Sequence, residues 1–140
     1  MVNSRTKGAN FERDVCKKLT EFFESINHPL EFKRNLDQYQ KKDQADIEFS
    51  KFAVECKCYA ATKDGWYKSD WWKQVCRAAQ INELTPLLVY KFNNRPIRVA
   101  LPLYMINPGL DKTDFDKICV VDWDHFCNIL HTYMQQNDLI

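Results

Sequence analysis

The stretch ADIEFSKFAVECKCYA, residues 45–60, carries clear strand signals and sets charged residues among them. Two runs rich in apolar and aromatic residues, 45–49 and 52–59, are separated only by Ser50 and Lys51. Such a short separation predicts an antiparallel hairpin with a tight turn. The sequence therefore predicts two paired strands here, with charged side chains at positions that strands usually fill with apolar ones.

The second strand of this hairpin is predicted to have one apolar and one charged face. Successive side chains of a strand point to opposite sides of the sheet. Val54 and the two cysteines that follow it therefore face the core, whereas Glu55 and Lys57 share the other face. A short turn can bring Asp46 opposite them, so two carboxylates and one ammonium group are expected to converge.

This combination of side chains is typical of a divalent-metal site, because Mg²⁺ binds through one or two carboxylates and keeps water and phosphate oxygens as its other ligands. Asp46 and Glu55 would supply the carboxylates, and the backbone carbonyl of Cys56 a further oxygen. Lys57 would orient the attacking water or neutralise charge in the transition state. By alternation Glu48 lies on the Asp46 face, as a further ligand or as a solvated residue. The alternative for the whole set is a solvated edge-strand ion pair beside a turn residue.

The flanking sequence predicts an α/β fold. Ser69 and Asp122 are expected to cap helices. Helical and strand periodicity predicts further elements at 5–26, 30–34, 70–84, 86–92, 97–103, 118–121 and 123–136. The resulting order is α-β-β-β-α-β-β followed by β-α, which indicates a mixed β-sheet flanked by helices.

Length and composition indicate one domain spanning residues 1–140, with a core at about 5–103 and a C-terminal extension at 104–140. The extension would complete the core, cover a sheet edge or form a subunit interface. An apolar leader and an apolar run of membrane-spanning length are both missing, so we expect an intracellular, cytoplasmic protein with no membrane partner, in the host cytoplasm if the protein is viral.

Charge is distributed unevenly along the chain. Residues 1–100 hold 18 Lys and Arg against 13 Asp and Glu, whereas residues 101–140 hold 2 against 6. A basic body suits a polyanionic partner such as nucleic acid. Six cysteines lie scattered, and Cys56 with Cys58 provides only half of a zinc site, so buried reduced thiols are the favoured interpretation.

The segment SRTKGANFERDV, residues 4–15, followed by the pattern D-x8-E-x-K, resembles the PD-(D/E)xK nuclease superfamily and, within it, the archaeal and phage Holliday junction resolvases. The resemblance runs from about Lys7 to Leu103. It implies a restriction-endonuclease-like fold. It also implies that Glu12 completes a metal site with Asp46 and Glu55, and that Lys57 assists the attacking water.

The resemblance also implies a DNA-binding surface. In this superfamily a Gln or Lys of the second helix often lies beside the scissile phosphate, which makes Gln74 a candidate catalytic residue. The loop at 60–69 and Trp71 suit either DNA or a dimer contact. The candidate phosphate contacts are Arg5, Lys7, Arg13, Arg34, Lys41, Lys42, Lys63, Lys68, Lys73 and Arg77.

The function these features predict is a Mg²⁺-dependent endonuclease, with Mn²⁺ as a substitute, that acts on branched DNA. A homodimer would nick two strands of a four-way junction, because paired nicks need two sites related by symmetry. One alternative keeps the site and changes the substrate to flaps, DNA ends or duplex. The other is a DNA-binding subunit without catalysis, which has no need of acids beside phosphates because acids repel DNA unless a cation lies between them.

Overall fold

Six strands and three helices make up the described part of this computed structural model, which covers residues 4–34, 44–60 and 66–140. The helices and strands follow one another in the predicted order. They are α1 (Ser4–Ser25), β1 (Lys33–Arg34), β2 (Ile47–Phe49), β3 (Phe52–Tyr59), α2 (Ser69–Asn82), β4 (Thr85–Phe92), β5 (Arg98–Pro102), a 3₁₀ turn (Leu103–Met105), β6 (Ile118–Asp122) and α3 (Trp123–Gln136). The predicted α/β class and element order are confirmed.

The sheet has the simple strand order β1-β2-β3-β4-β5-β6. Only β3 and β4 are parallel, because α2 connects them as a crossover, and every other described pair is antiparallel. The two-residue turn between β2 and β3 places Ser50 at φ 48° and pairs Ile47 with Val54. Because β2 and β4 pair with it on either side, strand β3 lies in the interior of the sheet.

Helices cover both faces of the sheet, and each side forms its own apolar cluster. Helices α1 and α3 pack on one face, where Leu19 and Phe126 are almost fully buried. Helix α2 packs on the other face, where Trp72 and Val75 meet Ala53 of β3. A central strand of a covered sheet is buried on both sides. Our expectation that only one face of β3 is core was therefore wrong, and Glu55 lies on a covered face.

Two expectations about α2 also need correction. Ser69 is the first residue of the helix and not its cap; Lys68 occupies the N-cap position, and its side chain makes no cap hydrogen bond to the described residues. Trp71 is only 7% exposed and packs against β4, so it does not belong to an outer surface. Its large ring reaches the sheet although it lies off the main apolar stripe of the helix.

The C-terminal segment completes the sheet and the core. Strand β6 pairs with β5 along five residues, and α3 places Phe126 and Leu130 in the cluster beside α1. Asp122 caps α3 as predicted, since its carboxylate accepts the backbone N–H of His125. Within the described ranges, no helix combines the length and the apolar character needed to cross a bilayer.

Candidate active site

The centre of the site is a charged pair on the interior strand β3. Glu55 is 2% exposed, and one of its carboxylate oxygens lies 3.4 Å from Nζ of Lys57. The Lys57 side chain remains 17% exposed, so it connects the buried carboxylate to the surface. Residues two apart on a strand share a face, which explains why an E-x-K spacing produces this contact.

Asp46 lies immediately before β2 and is also 2% exposed. Its Oδ2 accepts the backbone N–H of Cys56 at 2.7 Å. The Ile47–Val54 register of the hairpin brings the two segments together at this point. A backbone hydrogen bond therefore fixes the Asp46 carboxylate beside that of Glu55.

One oxygen of each buried carboxylate has no hydrogen-bond partner among the described residues. Oδ1 of Asp46 and Oε2 of Glu55 are inaccessible to solvent and make no hydrogen bond with the described residues. Burial raises the pKa of Glu55 well above its ordinary value, the negative charge of Asp46 raises it further, and Lys57 lowers it. Buried, unpaired carboxylate oxygens are unfavourable unless a cation or a donor satisfies them.

Glu12 of α1 lies close to the same carboxylates. Its carboxylate lies 3.1 Å from the guanidinium of Arg34 on β1, and both side chains are largely buried. Burial and the charge of Asp46 raise the pKa of Glu12, while Arg34 lowers it. The three predicted acids thus interact electrostatically, although Glu12 is already engaged by an arginine.

These groups line a small pocket of about 100 Å³. Its walls are Gly8, Glu12, Asp46, Glu55, Cys56, Lys57, Cys58 and Tyr59. Among the described residues, no three His, Cys, Asp or Glu side chains stand together as a ready ligand set. Two carboxylates with free oxygens nevertheless suit Mg²⁺, which needs only one or two protein carboxylates.

The other predicted site residues that the structure describes do not line this pocket. Gln74 is exposed on α2 and is not among the described residues that line the pocket. Glu48 lies in β2 opposite Ala53 and is likewise absent from that lining. Lys68, Lys73 and Arg77 are exposed, as is Arg13, which donates to Asn10, and Lys7 is half-buried. Lys41, Lys42 and Lys63 fall outside the described residues, and so does the side chain of Arg5.

Three residues of the pocket were not predicted from the sequence as parts of the site's lining. Gly8 lines it from α1, and Cys58 and Tyr59 line it from the end of β3. The alternation that links Glu55 to Lys57 continues to Tyr59, so the strand period contained a signal for the tyrosine. Gly8 gave no such signal, because its position depends on how α1 packs on the sheet.

Comparison with known proteins identifies the family. The model of a family described as "Phage putative PDDEXK endonuclease" matches residues 3–126. The chain belongs to this family. No curated protein sequence matches the chain. The predicted PD-(D/E)xK superfamily is therefore confirmed.

A solved structure shows the same fold. The Holliday junction resolvase Hjc of the archaeal hyperthermophile Archaeoglobus fulgidus matches with a TM-score of 0.54 and 16% sequence identity. The match covers 89% of this chain and 98% of the archaeal chain. At this identity the similarity establishes the fold, and it confirms that this phage PDDEXK endonuclease family member resembles archaeal resolvases in structure.

Proposed function

We propose that this protein is a Mg²⁺-dependent DNA endonuclease that resolves four-way junctions by paired nicks and acts as a homodimer. The observation that carries the proposal is a pair of buried carboxylate oxygens, one of Asp46 and one of Glu55, that lie beside Lys57 and have no partner in the described part of the chain. Membership of an endonuclease family and the resolvase-like fold support the same activity.

The residues of the pocket divide the work of phosphodiester hydrolysis. Asp46 and Glu55 would hold Mg²⁺, with Glu12 and the Cys56 carbonyl as further oxygen donors. The cation supplies positive charge to the phosphate oxygens and makes water more acidic. The Cys56 N–H holds Asp46 in place, and Lys57 is positioned to donate a hydrogen bond to the attacking water or to the phosphate.

Basic side chains around the pocket would hold the DNA backbone. Lys68, Lys73 and Arg77 are exposed near or on α2 and are available to phosphates. Arg34 would release Glu12 and bind a DNA phosphate instead. Lys7 and Arg13 would contact DNA from α1. The proposed phosphate contacts also include Arg5, Lys41, Lys42 and Lys63. Gln74 would act beside the scissile phosphate if DNA or the partner subunit brings that phosphate to α2.

Cleavage of a matched set of DNA substrates tests this function. A labelled four-way junction, a flap and a continuous duplex of the same sequence are incubated with Mg²⁺ or with EDTA. We expect paired nicks in the junction that require Mg²⁺. Cutting of the flap or duplex instead would retain the nuclease and reject junction resolution, whereas junction binding without any cutting would favour a DNA-binding subunit.

Asp46→Asn separates catalysis from folding in the same assay. Asparagine keeps an oxygen that can accept the Cys56 N–H, but it removes the negative charge. We expect the cleavage rate to fall at least about 100-fold with junction affinity retained. The exposed Asp14→Asn is the matched control and should cut normally. Cleavage by Asp46→Asn at the wild-type rate would exclude Asp46 from the site.

A further inference from the structure

Tyr59 stands at the rim of the pocket, next to the charged pair. It ends β3 and shares the strand face of Glu55 and Lys57, about 7 Å beyond the lysine along the strand. Tyr59 is 43% exposed, whereas Glu55 two positions before the lysine is 2% exposed. A phosphate held at Lys57 would therefore place a neighbouring base within reach of the tyrosine ring.

Packing fixes the orientation of the Tyr59 ring. The ring stacks on Trp71 of α2 with centroids 5.1 Å apart and planes 21° apart. Trp71 is 7% exposed and rests in turn on Phe92 and Tyr90 of β4. Nζ of Lys68 lies 6.0 Å from the Trp71 ring centre, so a positive charge lies beside the stacked rings. The Tyr59 ring is thus one exposed end of a packed aromatic array.

A tyrosine that served only to fill the core would be covered in the way that its neighbours are. Tyr90 of the same array is 1% exposed, whereas Tyr59 leaves almost half of its side chain in solvent at the mouth of the pocket. Aromatic side chains that bind single-stranded nucleic acid combine a flat exposed ring with nearby positive charge. Tyr59 meets both conditions.

We propose that Tyr59 is a stacking platform for an unstacked base next to the scissile phosphate. This inference rests on the proposed endonuclease function and specifies its substrate: DNA with an unstacked nucleotide, such as that at a branch point. In a continuous duplex each base is already stacked on both sides, so none has a free face for the ring. Stacking tolerates any base, so the preference is for structure and not for sequence.

The test compares three substitutions of Tyr59 in the Asp46→Asn background, where binding is measured without cleavage. The probe is a four-way junction, either intact or with an abasic nucleotide placed in turn on each side of the mapped cut. Tyr59→Phe keeps the ring and should bind as the parent does, the parent being the protein that carries Asp46→Asn alone. Tyr59→Leu and Tyr59→Ala should lose about tenfold in affinity for the intact junction. Ile106→Ala, which alters a side chain that is 46% exposed, is the matched control.

The abasic probe distinguishes stacking from a structural role. We expect the abasic nucleotide on one side of the cut to weaken the parent about tenfold and to leave Tyr59→Ala unchanged, because each change removes the same contact. Equal binding of the intact junction by Tyr59→Ala and the parent would overturn the proposal. The proposal would also be overturned if Tyr59→Ala lowered the affinity by the same factor for intact and for abasic DNA, relative to the protein that carries Asp46→Asn alone. Failure of the wild-type protein to cut any DNA would instead overturn the proposed function.

Discussion

At the scale of single residues, Glu55 shows how the site affects stability. Its carboxylate is buried in the middle of the sheet beside Asp46, and Lys57 is the one cation among the described residues that pairs with it. An unmet charge of this kind opposes folding in the metal-free protein. The same free oxygen suits a cation, so the residue that weakens the fold is the one that the proposed chemistry requires.

The buried charge of Glu55 predicts how the stability of the protein depends on pH. Because the pKa of Glu55 is raised above its ordinary value of 4.5, the folded state binds protons that the unfolded state has lost. The free energy of unfolding should therefore fall as pH rises from about 4.5 through the raised pKa, by at most about 1.4 kcal/mol per pH unit for this group. Glu12, whose pKa is also raised, adds in the same direction.

Urea denaturation in EDTA between pH 5 and pH 8 measures this dependence. Glu55→Gln should flatten the decrease in the free energy of unfolding, because glutamine does not titrate. Glu24→Gln, at an exposed position of α1, should keep the wild-type slope. A slope for Glu55→Gln that equals that of the wild type would show that Glu55 is not the group responsible.

At the scale of elements, helix α1 contains a glycine that its fold does not require. Gly8 lies inside the helix, and a Cβ built there would meet no atom of the described residues within 4 Å. Glycine in a helix interior is less stable than alanine by roughly 0.5–1 kcal/mol. Gly8 also lines the pocket, and we propose that its lack of a side chain leaves room for DNA to approach the site.

Gly8→Ala should therefore raise the free energy of unfolding by about 0.5–1 kcal/mol. Gly109→Ala provides the contrast, because its Cβ would lie 3.2 Å from Oδ1 of Asn107, which accepts the Gly109 N–H. We expect no gain there. Urea denaturation of both variants measures the difference, and destabilisation by Gly8→Ala would mean that the helix itself needs this glycine.

The order of the elements was predictable because periodicity is local. Helix α3 matches the predicted 123–136, and its cap Asp122 is correct. Of the predicted strand at 30–34, the structure forms Lys33–Arg34, the described residues of that stretch that pair with β2. Burial of the second face of β3 could not be read from alternation, because it depends on where α2 packs.

The same limit applies to the site. Asp46, Glu55 and Lys57 were predictable as a group because one short hairpin holds all three. The ion pair between Glu12 and Arg34 joins residues 22 positions apart and depends on the docking of α1 against β1. The stacking of Tyr59 on Trp71 similarly requires α2 to be in place.

At the scale of the whole molecule, the C-terminal segment contributes to the core of the nuclease fold. The segment after residue 100 carries most of the acidic excess, and its α3 packs on the α1 face of the sheet. Tyr59 and α2 lie on the other face. The basic candidates Lys68, Lys73 and Arg77 therefore belong to the α2 side, from which we propose that they contact DNA.

Metal binding links the site to the stability of the entire chain. A ligand that binds only the folded state raises the free energy of unfolding by RT ln(1 + [L]/Kd), or about 1.4 kcal/mol at tenfold excess over Kd. If Mg²⁺ satisfies the free oxygens of Asp46 and Glu55, the gain should appear in the global unfolding transition. Asp46→Asn should lose it while remaining folded.

The most direct measurement is thermal unfolding of the wild type and of Asp46→Asn, each in EDTA and in excess Mg²⁺. The account predicts that Mg²⁺ raises the wild-type midpoint by a few degrees and leaves that of Asp46→Asn unchanged. An equal shift in both proteins, or none in the wild type, would contradict the claim that the buried carboxylates form the metal site.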